Sequence, residues 1–313
     1  MIQPDLILHN YDFSNYAEKA RLALGYKGLA WRSVDIPETA PKPLLTPLTG
    51  GYRRTPVLQI GADVYCDTRM ILRELERRFP SPPIFPDEHS AQAAMIAFWA
   101  ENQLFRPMSL YVSGNNMDVL PANLQADRSL MRGLPIPSAE TVRKAAKRNG
   151  PPVRVQIAWV EELLADGREW IVGPAVTIAD FAVYHALWFI TARSERLAFE
   201  LEPYPRINGW MGRMRAFGHG VCEPMEAEEA LAVARAAEPE AVRASELFDE
   251  DPAVGSQVRI RADDYGREVI EGDLVMIDRA EVVLRRLDPA VGEVNVHFPR
   301  LGYDLREDAK RRL

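Results

Sequence analysis

The chain has 313 residues, with 45 Asp or Glu against 38 Lys or Arg, a formal net charge of -7 and a hydrophobic fraction of 47%. That length is too long for one ordinary domain and ample for a large core, the acidic balance argues against nucleic acid as the principal partner, and no apolar run approaches the roughly 20 residues that span a bilayer. The two cysteines, Cys66 and Cys222, lie far apart in sequence, which argues against a disulfide framework or a zinc site.

Residues 6–11 read as a short buried strand, and residues 14–24 as an amphipathic helix with Ser14 as its N-cap. An alternating strand follows over 31–36, then a loop carrying Pro37, Pro41, Pro43 and Pro47. Thr55-Pro56 opens an apolar strand that ends at Ile60. Proline has no backbone donor and is confined to strand starts and edges, so a cis bond is expected here. Gly61-Ala62-Asp63 turns the chain into a second strand ending at Cys66. Asp67-Thr68 then stands where that strand passes into a helix over 70–78. The free N–H groups of a helix start favour anions, so a small, partly anionic, peptide-like ligand suits this place.

The stiff segment 79–86, with Pro80, Pro82, Pro83 and Pro86, predicts a boundary near residue 80. Helices are expected over 91–105, 120–132, 152–164 with a proline in the first turn, 178–194 and 207–216, and a charged alanine-rich one over 226–248 serving partly as a tether. Thr177 and Asp180 form an S/T-x-x-D capping box at the head of an apolar helix. Beyond residue 249 the pattern becomes that of short strands joined by turns at 263–266, 271–273 and 288–289. The expected fold is therefore α+β and multi-domain: an α/β unit at 1–80, an all-helical unit at 81–248, and a small antiparallel β module at 249–313 packed on the helical unit.

Four landmarks in order, the Ser14 to Arg21 helix start, Thr55-Pro56, Asp67-Thr68 and the Thr177/Asp180 box, resemble the glutathione S-transferase family, whose first domain is thioredoxin-like and whose second is all-helical. The resemblance stops near residue 235, and the C-terminal module has no counterpart in an ordinary member. It implies glutathione as co-substrate, a homodimer, and thiolate attack on an apolar electrophile. By that resemblance Ser14 stabilises the sulfur anion, with Tyr11 as the competing candidate. Thr55 pairs with the cysteinyl backbone beside Pro56, Asp67 and Thr68 grip the γ-glutamyl end, and Arg54, with Arg53, draws the glycyl carboxylate. Asn15 stands where many members have proline, and Asp67 is a methylene shorter than the usual Glu or Gln.

The absence of cysteine at position 14 disfavours thiol-disulfide exchange. Cys66 is expected in the core, His185 reads as a satisfied core histidine, and no metal is expected because the five histidines lack ligand spacing. Phe98, Trp99, Phe105 and Tyr111 are candidates for the wall of the second substrate's pocket. With a polar, strand-like segment directly after Met1, no signal peptide and no membrane partner are expected, and the location is expected to be cytoplasmic. A glutathione-dependent isomerase or dehalogenase, and a non-catalytic scaffold, are the alternative readings.

Overall fold

The computed structural model describes residues 5–308. Strand β1 (Ile7–Asn10) leads into α1 (Asn15–Tyr26), whose first turn is closed by Ser14 accepting the Ala17 N–H at 3.2 Å. Then come β2 (Ala30–Asp35), the single turn α2 (Thr46–Thr49), the hairpin β3 (Val57–Ile60) and β4 (Asp63–Cys66), and α3 (Thr68–Arg78). β1 runs parallel to β2 and antiparallel to β3, which gives the thioredoxin-like arrangement. The Thr55–Pro56 bond is cis, as the strand-opening proline predicts.

The helical region contains α4 (Ser90–Trp99), a wide π turn (Ala100–Leu104), α5 (Phe105–Asn115), α6 (Ala122–Met131), α7 (Ala139–Leu163), α8 (Ile178–Trp188) and α9 (Pro205–Arg215). The capping box is present: Asp180 accepts the Thr177 N–H at 2.9 Å, and it also takes the Ile171 N–H at 2.8 Å and the Trp210 indole at 3.0 Å. The loop before α8 and the face of α9 are thereby tied to one buried carboxylate. α7 begins far upstream of Pro152, capped by Ser138, and runs through Pro151 and Pro152. Proline pairs normally break a helix, but this one continues through two exposed prolines, and Gly150 just before them lets the Tyr111 ring of α5 lie close.

Downstream, a short strand β5 (Val221–Pro224) joins the outer edge of β2, and α10 (Ala227–Ala236) is shorter than the expected 226–248 helix because Pro239 follows. The last strands are β6 (Gln257–Ala262), β7 (Ile270–Ile277), β8 (Glu281–Asp288), β9 (Gly292–Pro299) and β10 (Tyr303–Glu307). They are antiparallel among themselves, as expected, but they do not pack as a module on the helical region. β9 pairs parallel with β4, so one sheet runs in the order β10-β6-β7-β8-β9-β4-β3-β1-β2-β5. An open edge strand presents unpaired N–H and C=O groups, and β9 satisfies those of β4.

Alternation along the strands separates two cores. Leu6, Leu8, Leu58 and Tyr65 face α1, α3 and the helical region, while Ile7, Val57, Val64 and Cys66 share the other face with α10 and the C-terminal strands. Cys66 is fully buried, as expected, and burial pushes its thiol pKa up.

Candidate functional site

At the start of α3, Asp67 adopts φ +78 with ψ 139, a sparsely populated backbone for a residue other than glycine, and its carboxylate caps the helix by accepting the Arg69 N–H at 2.9 Å. Thr55 and Pro56 lie against it, so the two short motifs of the sequence converge on one cleft. Tyr52 and Arg54 extend the same wall. Tyr16 enters from α1, Glu101 and Asn102 from the π turn, and Asp264 with Tyr265 from the turn between β6 and β7.

The cleft is strongly ionic at its base. Lys19, fully buried, pairs with Glu101 and donates to Thr68 Oγ1 at 3.2 Å, and Arg69 lies 3.4 Å from the same glutamate. Burial alone would raise the Glu101 pKa, but Lys19 and Arg69 outweigh it and hold the carboxyl below its usual range. Tyr16 is pushed well above the ordinary phenol value, first by burial and then by Tyr265, Glu101 and Asp67. Its phenol therefore stays a neutral hydrogen-bond donor at the Asp67 end of the cleft.

Of the residues singled out from sequence, Arg54, Thr55, Pro56, Asp67 and Thr68 come together here. Ser14 is 5% exposed and is not in the wall, and its hydroxyl oxygen takes the Ala17 N–H while its own proton has no acceptor among the described residues. Tyr11 is turned aside: its hydroxyl accepts from Arg128 at 2.8 Å. Arg53 is held by Asp127 and Glu268 outside the cleft. The aromatic candidates divide as well. Phe105 packs edge-on to Tyr16 and Phe98 lies under Arg69, but Trp99 faces Trp159 in a separate apolar groove and Tyr111 bonds Glu200.

Most of the other contributors were not singled out by sequence reasoning, among them Tyr52, Glu101, Asn102 and Asp264 of the wall. Tyr16 sits two residues past the expected Ser14. Lys42, buried in the proline-rich loop, donates to Thr55 Oγ1 at 2.8 Å, and burial beside Arg128 and Arg53 lowers its pKa to about 7. Tyr265 stacks under the Arg54 guanidinium at 4.1 Å, and the Tyr303 hydroxyl of β10 lies 3.3 Å from Asp67 Oδ2. The π turn at Ala100–Leu104, of a kind that gathers at functional sites, is visible only in the structure and falls inside the helix expected over 91–105. His185 packs on Tyr16 and takes the Asn15 amide at 2.8 Å, and burial holds its imidazole neutral.

Family models describing the glutathione S-transferase N-terminal domain and C-terminal domain match residues 8–83 and 156–213. Over 98% of this chain and 100% of its own, the crystal structure of a GST-like protein from Pseudomonas syringae superposes with a TM-score of 0.79 at 37% identity. FtsZ-localized protein A of Caulobacter vibrioides is 25% identical over 182 residues, which is 56% of this chain and 72% of that protein. A glutathione S-transferase from Rhodospirillum rubrum shares the fold at 21% identity and a TM-score of 0.51, over 67% of this chain and 88% of its own.

Proposed function

The chain belongs to the glutathione S-transferase family, and from that premise we propose that it binds glutathione in the Thr55/Asp67 cleft and activates the thiol for attack on an apolar electrophile. The observation that carries this reading is the convergence of the cis Thr55–Pro56 segment with the Asp67-capped start of α3. In the reading, the Asp67 carboxylate takes the γ-glutamyl ammonium, and the N-terminal end of α3 at Thr68 takes its carboxylate. The Thr55 backbone aligns the cysteinyl residue, Lys42 fixes the Thr55 side chain, and Arg54 meets the glycyl carboxylate. Ser14, at the positive end of α1, donates its free proton to the sulfur and favours thiolate over thiol. Tyr16, beside Asp67 and Glu101, serves the γ-glutamyl end.

Two expected results test these roles. Ser14→Gly keeps the helix cap to within a few tenths of a kcal/mol, yet is expected to lower kcat by about ten- to a thousandfold, as loss of an anion-stabilising donor does. Tyr16→Phe is expected to act on KM for glutathione instead. A Ser14→Gly enzyme with unchanged kcat removes the serine assignment. Binding itself is measured by calorimetry with reduced glutathione and S-methylglutathione, and no heat up to millimolar ligand, in folded protein, removes the enzymatic reading.

Product analysis separates conjugation from isomerisation or dehalogenation, which use the same thiolate. A non-catalytic role within an assembly is the second reading, favoured by the small volume of the cleft, about 50 Å³, and by the likeness to an FtsZ-localized protein. Homodimerisation in a cytoplasmic setting completes the proposal, and sedimentation checks the dimer.

A further inference from the structure

The β6–β7 turn, residues 263–266, lies across the cleft and gives Arg54 everything a bound peptide terminus would give it. Arg54 Nη2 is paired with the Asp264 carboxylate and donates to the Tyr265 carbonyl, while the Tyr265 ring covers the guanidinium. A carboxylate and a carbonyl on one guanidinium are the groups that a C-terminal amino acid presents. With the turn in place the cavity is about 50 Å³. That is room for a few waters, where pockets for small organic ligands run to roughly 300–1,000 Å³.

The turn is built to leave. Below it the β6–β7 ladder closes at Ile260 and Ile270, while β10 holds Ala262 opposite Tyr303 and the Gly302 carbonyl takes the Asp263 N–H at 3.0 Å, so the stretch outside strand pairing is residues 264–269. The Asp264 side chain is 45% exposed and the Arg54 side chain 13% exposed, so the carboxylate can pass into water while the guanidinium needs another anion in its place. One backbone bond from Gly266 N–H to the Met131 carbonyl, 2.7 Å, pins the turn to the end of α6. Gly266 is at φ +56 and a Cβ there would come within 2.8 Å of Met131 Cε, so this close approach suits glycine.

We propose that Asp264 and Tyr265 are specificity-determining residues that stand in for the ligand's own carboxylate end, so that only a ligand with a free carboxylate able to replace Asp264 on Arg54 opens the cleft. This rests on the glutathione reading above. A turn closed nine-tenths of the time masks affinity about tenfold, because apparent affinity scales with the open fraction.

The test uses the full chain, wild type and Asp264→Ala, an exposed change that leaves the core untouched. Without any ligand, amide exchange at Gly266 is expected to rise about tenfold in the variant, in step with the open fraction. By calorimetry the variant is expected to bind reduced glutathione about three- to tenfold more tightly than wild type. In wild type, saturating glutathione is expected to speed Gly266 exchange and the glycyl monoethyl ester of glutathione to leave it unchanged. Unchanged exchange in Asp264→Ala, equal glutathione affinity in the two proteins, or equal opening by the ester overturns the proposal. Faster exchange in the variant with no glutathione binding to either protein supports the turn as a gate and removes glutathione as the ligand.

Discussion

His297→Ala is expected to lower the free energy of unfolding by about 3–5 kcal/mol, the usual cost of taking one partner from a buried ion pair, read as a fall in Tm. His297 stands on β9 with its Nδ1 2.6 Å from Glu281 Oε1 and its Nε2 3.0 Å from Asp63 Oδ1, stacked on Tyr65. Asp63 belongs to β4, so the imidazole bridges the seam where the C-terminal strands join the thioredoxin-like sheet. With a carboxylate facing each ring nitrogen, the imidazolium form, which donates from both, is the one the surroundings favour.

Burial alone would lower the His297 pKa, but Asp63 and Glu281 outweigh it and raise the value above the ordinary 6.5. The stabilisation is therefore fully present below about pH 6.5, the unfolded value, and is lost as pH rises through the elevated native one. Arg243 on Glu281, and the Asn295 amide and Glu240 N–H on Asp63, keep part of their hold after the substitution, which places the loss toward the lower end of the range. A Tm profile from about pH 6 to 9 should fall more steeply in wild type than in the variant. Parallel profiles would mean that the seam does not depend on the imidazolium.

Asp67→Asn is expected to weaken glutathione binding by about ten- to a hundredfold, the equivalent of a charge-assisted hydrogen bond of roughly 1.5–3 kcal/mol. Asparagine is the informative replacement. It matches aspartate in size and shape at the φ +78 backbone, and its amide oxygen still caps α3 through the Arg69 N–H. What it lacks is the negative charge for the γ-glutamyl ammonium. Calorimetry with reduced glutathione reads the change, and equal affinity in folded Asp67→Asn protein would remove Asp67 from the binding set.

The parts of the site legible in the sequence are those specified within a few residues. Thr55-Pro56 announces its own backbone, Asp67-Thr68 its helix start, and Thr177 with Asp180 their reciprocal cap, because each rests on bonds between near neighbours. Tyr16 was harder, since helical spacing assigns a face to a residue without saying what lies opposite. Lys42 against Thr55 and Asp264 against Arg54 depend on how loops close over the sheet, and no local pattern encodes that. β5 was unreadable for another reason: Val221, Cys222, Glu223 and Pro224 are exposed, and their strand exists only because β2 offers an edge.

The sequence by itself determined the types of the elements, the two short motifs of the cleft and the antiparallel character of the last strands, all consequences of periodicity, proline and capping chemistry acting over short distances. Only the tertiary structure decided that β9 would pair with β4 and so carry Tyr265 and Tyr303 to the cleft. The edge of a strand offers the same N–H and C=O groups whatever its side chains, so backbone pairing carries no address of its own. The address is supplied by side chains that meet only after folding, the shared apolar face of β4 and the C-terminal strands and the buried charges of Asp63, Glu281 and His297.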